Sequence, residues 1–198
     1  MKNRFFLGFV VVMMIMATSC GKMPQENMDA TKAAVENAQA AQADVYMAPE
    51  FKALQDSLAV VMQAIEAENS NFFKNFDALT VKLDTLKAQA EAIAAAAPVK
   101  KEAVKQEAAT VLEGVKTSIE DTKALLAKAP KGKEGKAALE QITNELNVVT
   151  ATVAEVEASM AGDVNFIQVL DKLNAAQKSV ADLNAELSEA IAKKVGKK

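Results

Sequence analysis

In one stretch of this 198-residue chain, Phe72, Phe76, Leu79, Leu83, Leu86, Ala90 and Ile93 follow one another at intervals of four and three, in strict alternation. Leu139, Ile142, Leu146, Val149, Val153, Val156 and Met160 do the same. Phe51, Leu54, Leu58, Val61 and Ile65 repeat the pattern over a shorter span, and Phe166, Leu170, Leu173, Val180, Leu183, Leu187 and Ile191 carry it with a slip in the middle. An average repeat of about 3.5 residues puts these side chains on one narrow seam of a helix, which winds left-handedly against its neighbours. A narrow seam buries little by itself, so several helices must share each core. The stretch around Leu112, Val115, Ile119 and Leu126 is looser, and Ala34, Ala38, Ala41 and Val45 form a small-residue stripe that permits close approach.

The breaks between seams are few. Pro49, Pro98, Pro130, Gly132, Gly135, Gly162 and the polar Asn69-Ser70-Asn71 interrupt stretches that otherwise favour helix. Cutting there leaves about six helices, and short connections make consecutive helices antiparallel. The expected fold is all-α: an elongated antiparallel bundle with coiled-coil-like packing, in two three-helix units over 29–97 and 98–194, with a basic tail at 195–198. The helix before Pro98 either ends there or continues as one kinked rod. Asp29 and Asp163 are candidate N-caps of the first and last helices. An internal repeat pairs Asn71-Phe72, Asp77 and Leu79 with Asn165-Phe166, Asp171 and Leu173; chance agreement between heptad sequences is the competing explanation.

The N-terminus has a different character. Lys2 and Arg4 precede an apolar run, Phe5 to Met16, which is followed by Ala17, Thr18 and Ser19 and then by Cys20, the only cysteine. A basic start, an apolar middle and small residues make a secretory signal peptide over 1–19. The run is shorter than the roughly 20 residues that span a bilayer, which argues against the alternative of a retained anchor helix. Ala17-Thr18-Ser19-Cys20-Gly21 resembles the lipobox of bacterial envelope lipoproteins, although Leu is more usual at the position of Ala17. The resemblance implies a thioether-linked diacylglycerol on Cys20, cleavage before it and acylation (typically palmitate) of its new amino group. The other reading is a free or disulfide-forming thiol, but a lone cysteine closes no internal bridge and an oxidising compartment is a poor place for it. Residues 20–28 then form the lipidated N-terminus and a linker. Gly21 stands where some lipoproteins carry an inner-membrane retention Asp, which points to the outer membrane, facing the periplasm.

A second resemblance lies in residues 33–68. Their Ala-rich helix, the break Tyr46-Met47-Ala48-Pro49 and the following Ala/Leu helix are similar to DUF4398, an uncharacterised domain of bacterial lipoproteins. It implies a helical envelope protein and supplies no catalytic residues.

Residue chemistry narrows the function further. There is no histidine, which removes the commonest general base and metal ligand. Glu-x-x-His di-iron pairs and zinc sites of the usual kinds have no ligands here, and no cofactor is implied. The carboxylate groups Glu66/Glu68, Glu120/Asp121 and Glu155/Glu157 are adjacent or alternate on a helix, positions that do not face each other. They read as solvated faces. "KGKEGK" at 131–136 lacks the Walker spacing and has Ala137 where a hydroxyl is required, so it reads as a loop whose Lys131, Lys133 and Lys136 offer at most an anion contact. A net charge of -3 disfavours nucleic acid as a partner.

Lys193, Lys194, Lys197 and Lys198 close the chain. They suit a helix C-terminus and a solvated tail. The sharper readings are contact with anionic cell-wall polymer or lipid headgroups, or covalent attachment of Lys198 to peptidoglycan. Phe51, Phe72, Phe76 and Phe166 lie on seams and read as core. Phe73 lies off the seam, to mark a partner surface or to pack under a loop. The expected function is a non-enzymatic, membrane-tethered scaffold, spacer or interaction module, with an envelope protein or peptidoglycan as its partner. The alternative is a carrier of a lipid or other apolar ligand between amphipathic helices. An enzyme is the third and least supported reading.

Overall fold

A computed structural model describes residues 22–129 and 136–195, with side chains as far as Ala192. Among these residues the fold is an all-α helical bundle of six helices: α1 (Gln25–Ala40), α2 (Ala43–Tyr46), α3 (Ala48–Asn69), α4 (Asp77–Lys128), α5 (Lys136–Ser159) and α6 (Phe166–Val195). The chain divides between Ala97 and Pro98 into two compact units. The first contains α1, α2, α3 and the first part of α4. The second contains the rest of α4, α5 and α6.

In the first unit, Phe51, Leu54, Val61 and Ile65 of α3 meet Leu83, Leu86, Ala90 and Ala97 of α4 and the small stripe Ala34, Val35, Ala38 of α1. Asn27 Nδ2 donates to Asp84 Oδ1 at 2.7 Å. Buried Thr31 donates from Oγ1 to the carbonyls of Asn27 (2.7 Å) and Leu83 (3.1 Å). These pairs fix α1 beside α4, running in the same direction.

The stripe of α1 is shorter than its sequence implies. The helix closes at Ala41, whose N–H reaches the Asn37 carbonyl, and Gln42 turns the chain in the left-handed region at φ 63°. Glycine or asparagine usually fills such a position, so composition gives no warning of it. Val45 therefore belongs to the short α2. Pro49 sits in the first turn of α3, where its missing N–H is not needed.

In the second unit, Ile142, Leu146, Val153 and Val156 of α5 pack with Val169, Leu173, Val180, Leu183 and Leu187 of α6. The slip in the α6 seam is filled by buried Ala176. The looser seam of α4 is regular once Val104, Ala108 and Thr122 are included. Thr122 is tolerated there because its Oγ1 donates to the Ser118 carbonyl at 2.7 Å.

Of the two expectations for Pro98, continuation is the one found: α4 is helical on both sides of it. An interior proline costs about 3 kcal/mol, and here it follows four alanines, the residues best able to offset that. Asp29 is not an N-cap; α1 begins at Gln25, and Asp29 inside it accepts from Gln25 Nε2 at 3.0 Å. Asp163 is not one either. Asn165 caps α6, accepting at Oδ1 from the N–H groups of Ile167 (3.0 Å) and Gln168 (3.3 Å). Asp163 instead pairs with Lys101 at 2.6 Å.

A further correction concerns Phe72 and the repeat. Phe72 is 92% exposed, whereas Phe76 is 2% exposed. The counterpart of Asn165-Phe166 is thus Asn75-Phe76. Each Phe is buried at the start of its helix, and each preceding Asn side chain accepts from an N–H in the first turn. Buried positions then follow in step: Leu83 with Leu173, Leu86 with Ala176, Ala90 with Val180, Ala97 with Leu187. Asn71-Phe72 and Asn75-Phe76 are the same dipeptide one helical turn apart, so the seam alone cannot choose between them. The loop decides. Glu68 accepts from Asn71 Nδ2 at 2.8 Å and from the Asn75 N–H at 2.7 Å, which holds residues 71–75 out of the helix.

Candidate functional site

Cys20, the residue with the most specific chemistry in the sequence, lies outside the described residues, as do Lys197, Lys198, Lys131 and Lys133. Lys193 and Lys194 lie in the last turn of α6, where only the backbone is described. Lys136 opens α5 and is exposed.

The end of the first unit where the chain leads back to Cys20 is well defined. Asn27 lies beside Asp84, 57 residues further on. A groove further along is lined by Ala30, Ala34 and Asn37 from α1 and by Lys87, Glu91 and Ala94 from α4. These contacts run in parallel and bring Pro24 level with the start of α4, between Phe76 by the Thr31–Leu83 bond and Val81 by the Asn27–Asp84 bond. The loop 70–76 therefore projects past the start of α1, on the side from which the N-terminal segment enters. Met23 packs against the core there. Phe72 and Phe73 (86% exposed) stand out from this loop with ring centroids 5.0 Å apart, edge to face. Lys74 Nζ donates to Asn69 Oδ1 at 2.9 Å, a third bond that orders the loop.

A second feature lies in the second unit. Lys116 of α4 reaches Glu157 of α5 at 2.8 Å and Glu113 of its own helix at 3.6 Å. Lys123 pairs with Glu120 at 2.8 Å. Lys116, Glu120, Lys123 and Glu157 line an open groove of about 350 Å³ together with Ile119 and Val153. The Glu157 hydrogen bond holds the Lys116 ammonium above its ordinary pKa; desolvation opposes it, and the two glutamate charges add to it.

The carboxylate groups singled out in the sequence do not face one another. Glu68 binds the 70–76 loop, Glu120 pairs with Lys123 and Glu157 with Lys116. Among the described residues, no cluster of three His, Cys, Asp or Glu side chains could hold a metal ion. No buried side-chain polar atom there lacks a hydrogen-bond partner, and no helix is long and apolar enough to cross a membrane. Comparison with family models, curated proteins and solved structures finds no match to this chain.

Sequence reasoning missed the cross-helix pair Lys116–Glu157 because helix pairing sets it, not spacing along one helix. It misplaced Phe72 because the seam admits two frames.

Proposed function

We propose that this protein is a non-enzymatic lipoprotein of the bacterial envelope, tethered to the outer membrane through acyl chains on Cys20 and facing the periplasm. Its helical units serve as a scaffold, spacer or interaction module. One observation carries the reading: the sole cysteine directly follows Ala17-Thr18-Ser19 at the end of a basic-then-apolar leader. Acylation gives that thiol a use that no internal disulfide can. Each buried methylene contributes about 0.8 kcal/mol, so two or three chains anchor durably where one does not. An envelope protein or peptidoglycan, met in part by the lysine tail, is the fitting partner.

Membrane fractionation of host cells tests the tether. The native protein stays with membranes through an alkaline carbonate wash, while Cys20→Ala is released by it. Equal release of both would sink the proposal.

The carrier reading draws on one observation, the small residues Ala34, Ala38, Ala90 and Ala97 in the first core. Seams of alanine bury less surface and part at lower cost. Native mass spectrometry of protein from its host tests it by showing or failing to show a bound lipid.

A further inference from the structure

We infer that Phe72 and Phe73 form a second membrane contact: the tip of the α3–α4 loop inserts its two rings into the lipid surface to which Cys20 is anchored. The inference rests on the acylation of Cys20 proposed above.

Four observations carry it. The rings are the most exposed of the large apolar side chains described, and they adjoin each other. Two aromatic side chains present roughly 300 Å² or more of surface, a patch of the size that marks an interaction site. The loop is built to hold them outward. Glu68 ties down Asn71 and Asn75, Lys74 is bonded to Asn69, and Phe76 is locked in the core. Rings held out by a hydrogen-bonded loop enter an apolar phase without the ordering cost that a flexible loop would carry.

The third observation is position. The parallel register of α1 and α4 puts the loop at the end of the unit where the N-terminal segment enters. Two peptide units limit the separation of Cys20 and Lys22 to about 7 Å. Asp77, where α4 starts, is within about 6 Å along the helix axis of the level of Pro24. An acylated Cys20 therefore brings this loop, and not the α1–α3 turn at the far end of the unit, against the membrane surface.

The fourth is charge. Residues 70–76, Ser-Asn-Phe-Phe-Lys-Asn-Phe, contain one ionisable side chain, Lys74, a cation. The carboxylates beside it are at the base of the loop: Glu68, bonded to Asn71 Nδ2 and the Asn75 N–H, and Asp77, which opens α4. Apolar rings beside a lysine are the composition of an interfacial anchor. A bilayer fits better than a protein groove, because the acyl chains already place that surface at this end.

The chain has no tryptophan, so Phe73→Trp provides a single reporter and Glu50→Trp, exposed near the far end of the unit, a control. The acylated full chain is reconstituted into phosphatidylethanolamine–phosphatidylglycerol vesicles, with and without bromine on the acyl chains. The expected result is a blue-shifted indole in the Phe73→Trp protein, quenched by the bromines, with the indole of the Glu50→Trp control in water and unquenched. A water-exposed indole in Phe73→Trp, while the protein floats with the vesicles, overturns the inference and leaves the acyl anchor standing. The same indole blue-shifted in native membranes yet untouched by brominated lipid also overturns it, in favour of a protein partner. If the native protein proves unacylated, partition of the unmodified chain onto the same vesicles decides. A loss of about tenfold per ring in Phe72→Ser and Phe73→Ser upholds the contact, and unchanged partition of both variants rejects it.

Discussion

Phe72 and Phe76 offer a sharp test of the frame in which α4 begins, since the heptad seam admits both and the structure buries only one. Phe76 is 2% exposed and lies in the first core with Leu83 and Ile65, both fully buried. Truncation to alanine removes the ring's transfer free energy and leaves a cavity that rigid helices fill only in part. The expected cost of Phe76→Ala is about 3–5 kcal/mol. Phe72 is 92% exposed and touches chiefly the Phe73 ring. Phe72→Ala should stay within about 0.5 kcal/mol of the parent. Urea unfolding followed by circular dichroism reads the difference. With a slope of about 1–3 kcal/mol per molar, Phe76→Ala lowers the midpoint by roughly 1–5 M while Phe72→Ala leaves it in place. Equal losses, or a larger loss at Phe72, would mean that α4 starts a turn earlier, and the equivalence of Asn75-Phe76 with Asn165-Phe166 would fall with it.

Gly114 lies inside α4 with nothing within 4 Å of where a Cβ would sit; Gly114→Ala should stabilise the chain by about 0.5–1 kcal/mol, seen as a higher urea midpoint. Asn165→Ala removes the α6 cap and should cost about 1 kcal/mol, whereas Asp163→Ala, which loses only an exposed ion pair, should cost less. Lys116 has a raised pKa in the folded state, so its contribution is complete below the unfolded value of about 10.4 and fades as pH climbs through the raised one. The melting-temperature difference between the parent and Glu157→Gln should therefore stay constant from neutral pH to about pH 10 and shrink only above it.

Much of the fold is legible because the apolar alternation is strict. Leu146, Val153 and Val156 on α5, or Leu54, Val61 and Ile65 on α3, can face only one way once the helix is drawn, and all are buried. The ends are less legible. Gln42 takes a left-handed conformation with no residue type to announce it, and Pro98 sits inside a helix that local preference would end. Asn165 outcompetes Asp163 as a cap because Asp163 is drawn to Lys101, on a helix remote in sequence. The same limit hides Lys116–Glu157. Pairings across helices depend on register, which a single seam does not encode.

The proposed acylation of Cys20 rests on the order of residues before it. The most direct test of the account is the intact mass of the protein from its native membrane, beside Cys20→Ala. The account predicts a chain that begins at Cys20 and carries acyl groups, with that mass absent from the variant. An unmodified chain that retains Met1 would contradict it and would make residues 5–16 part of the working protein.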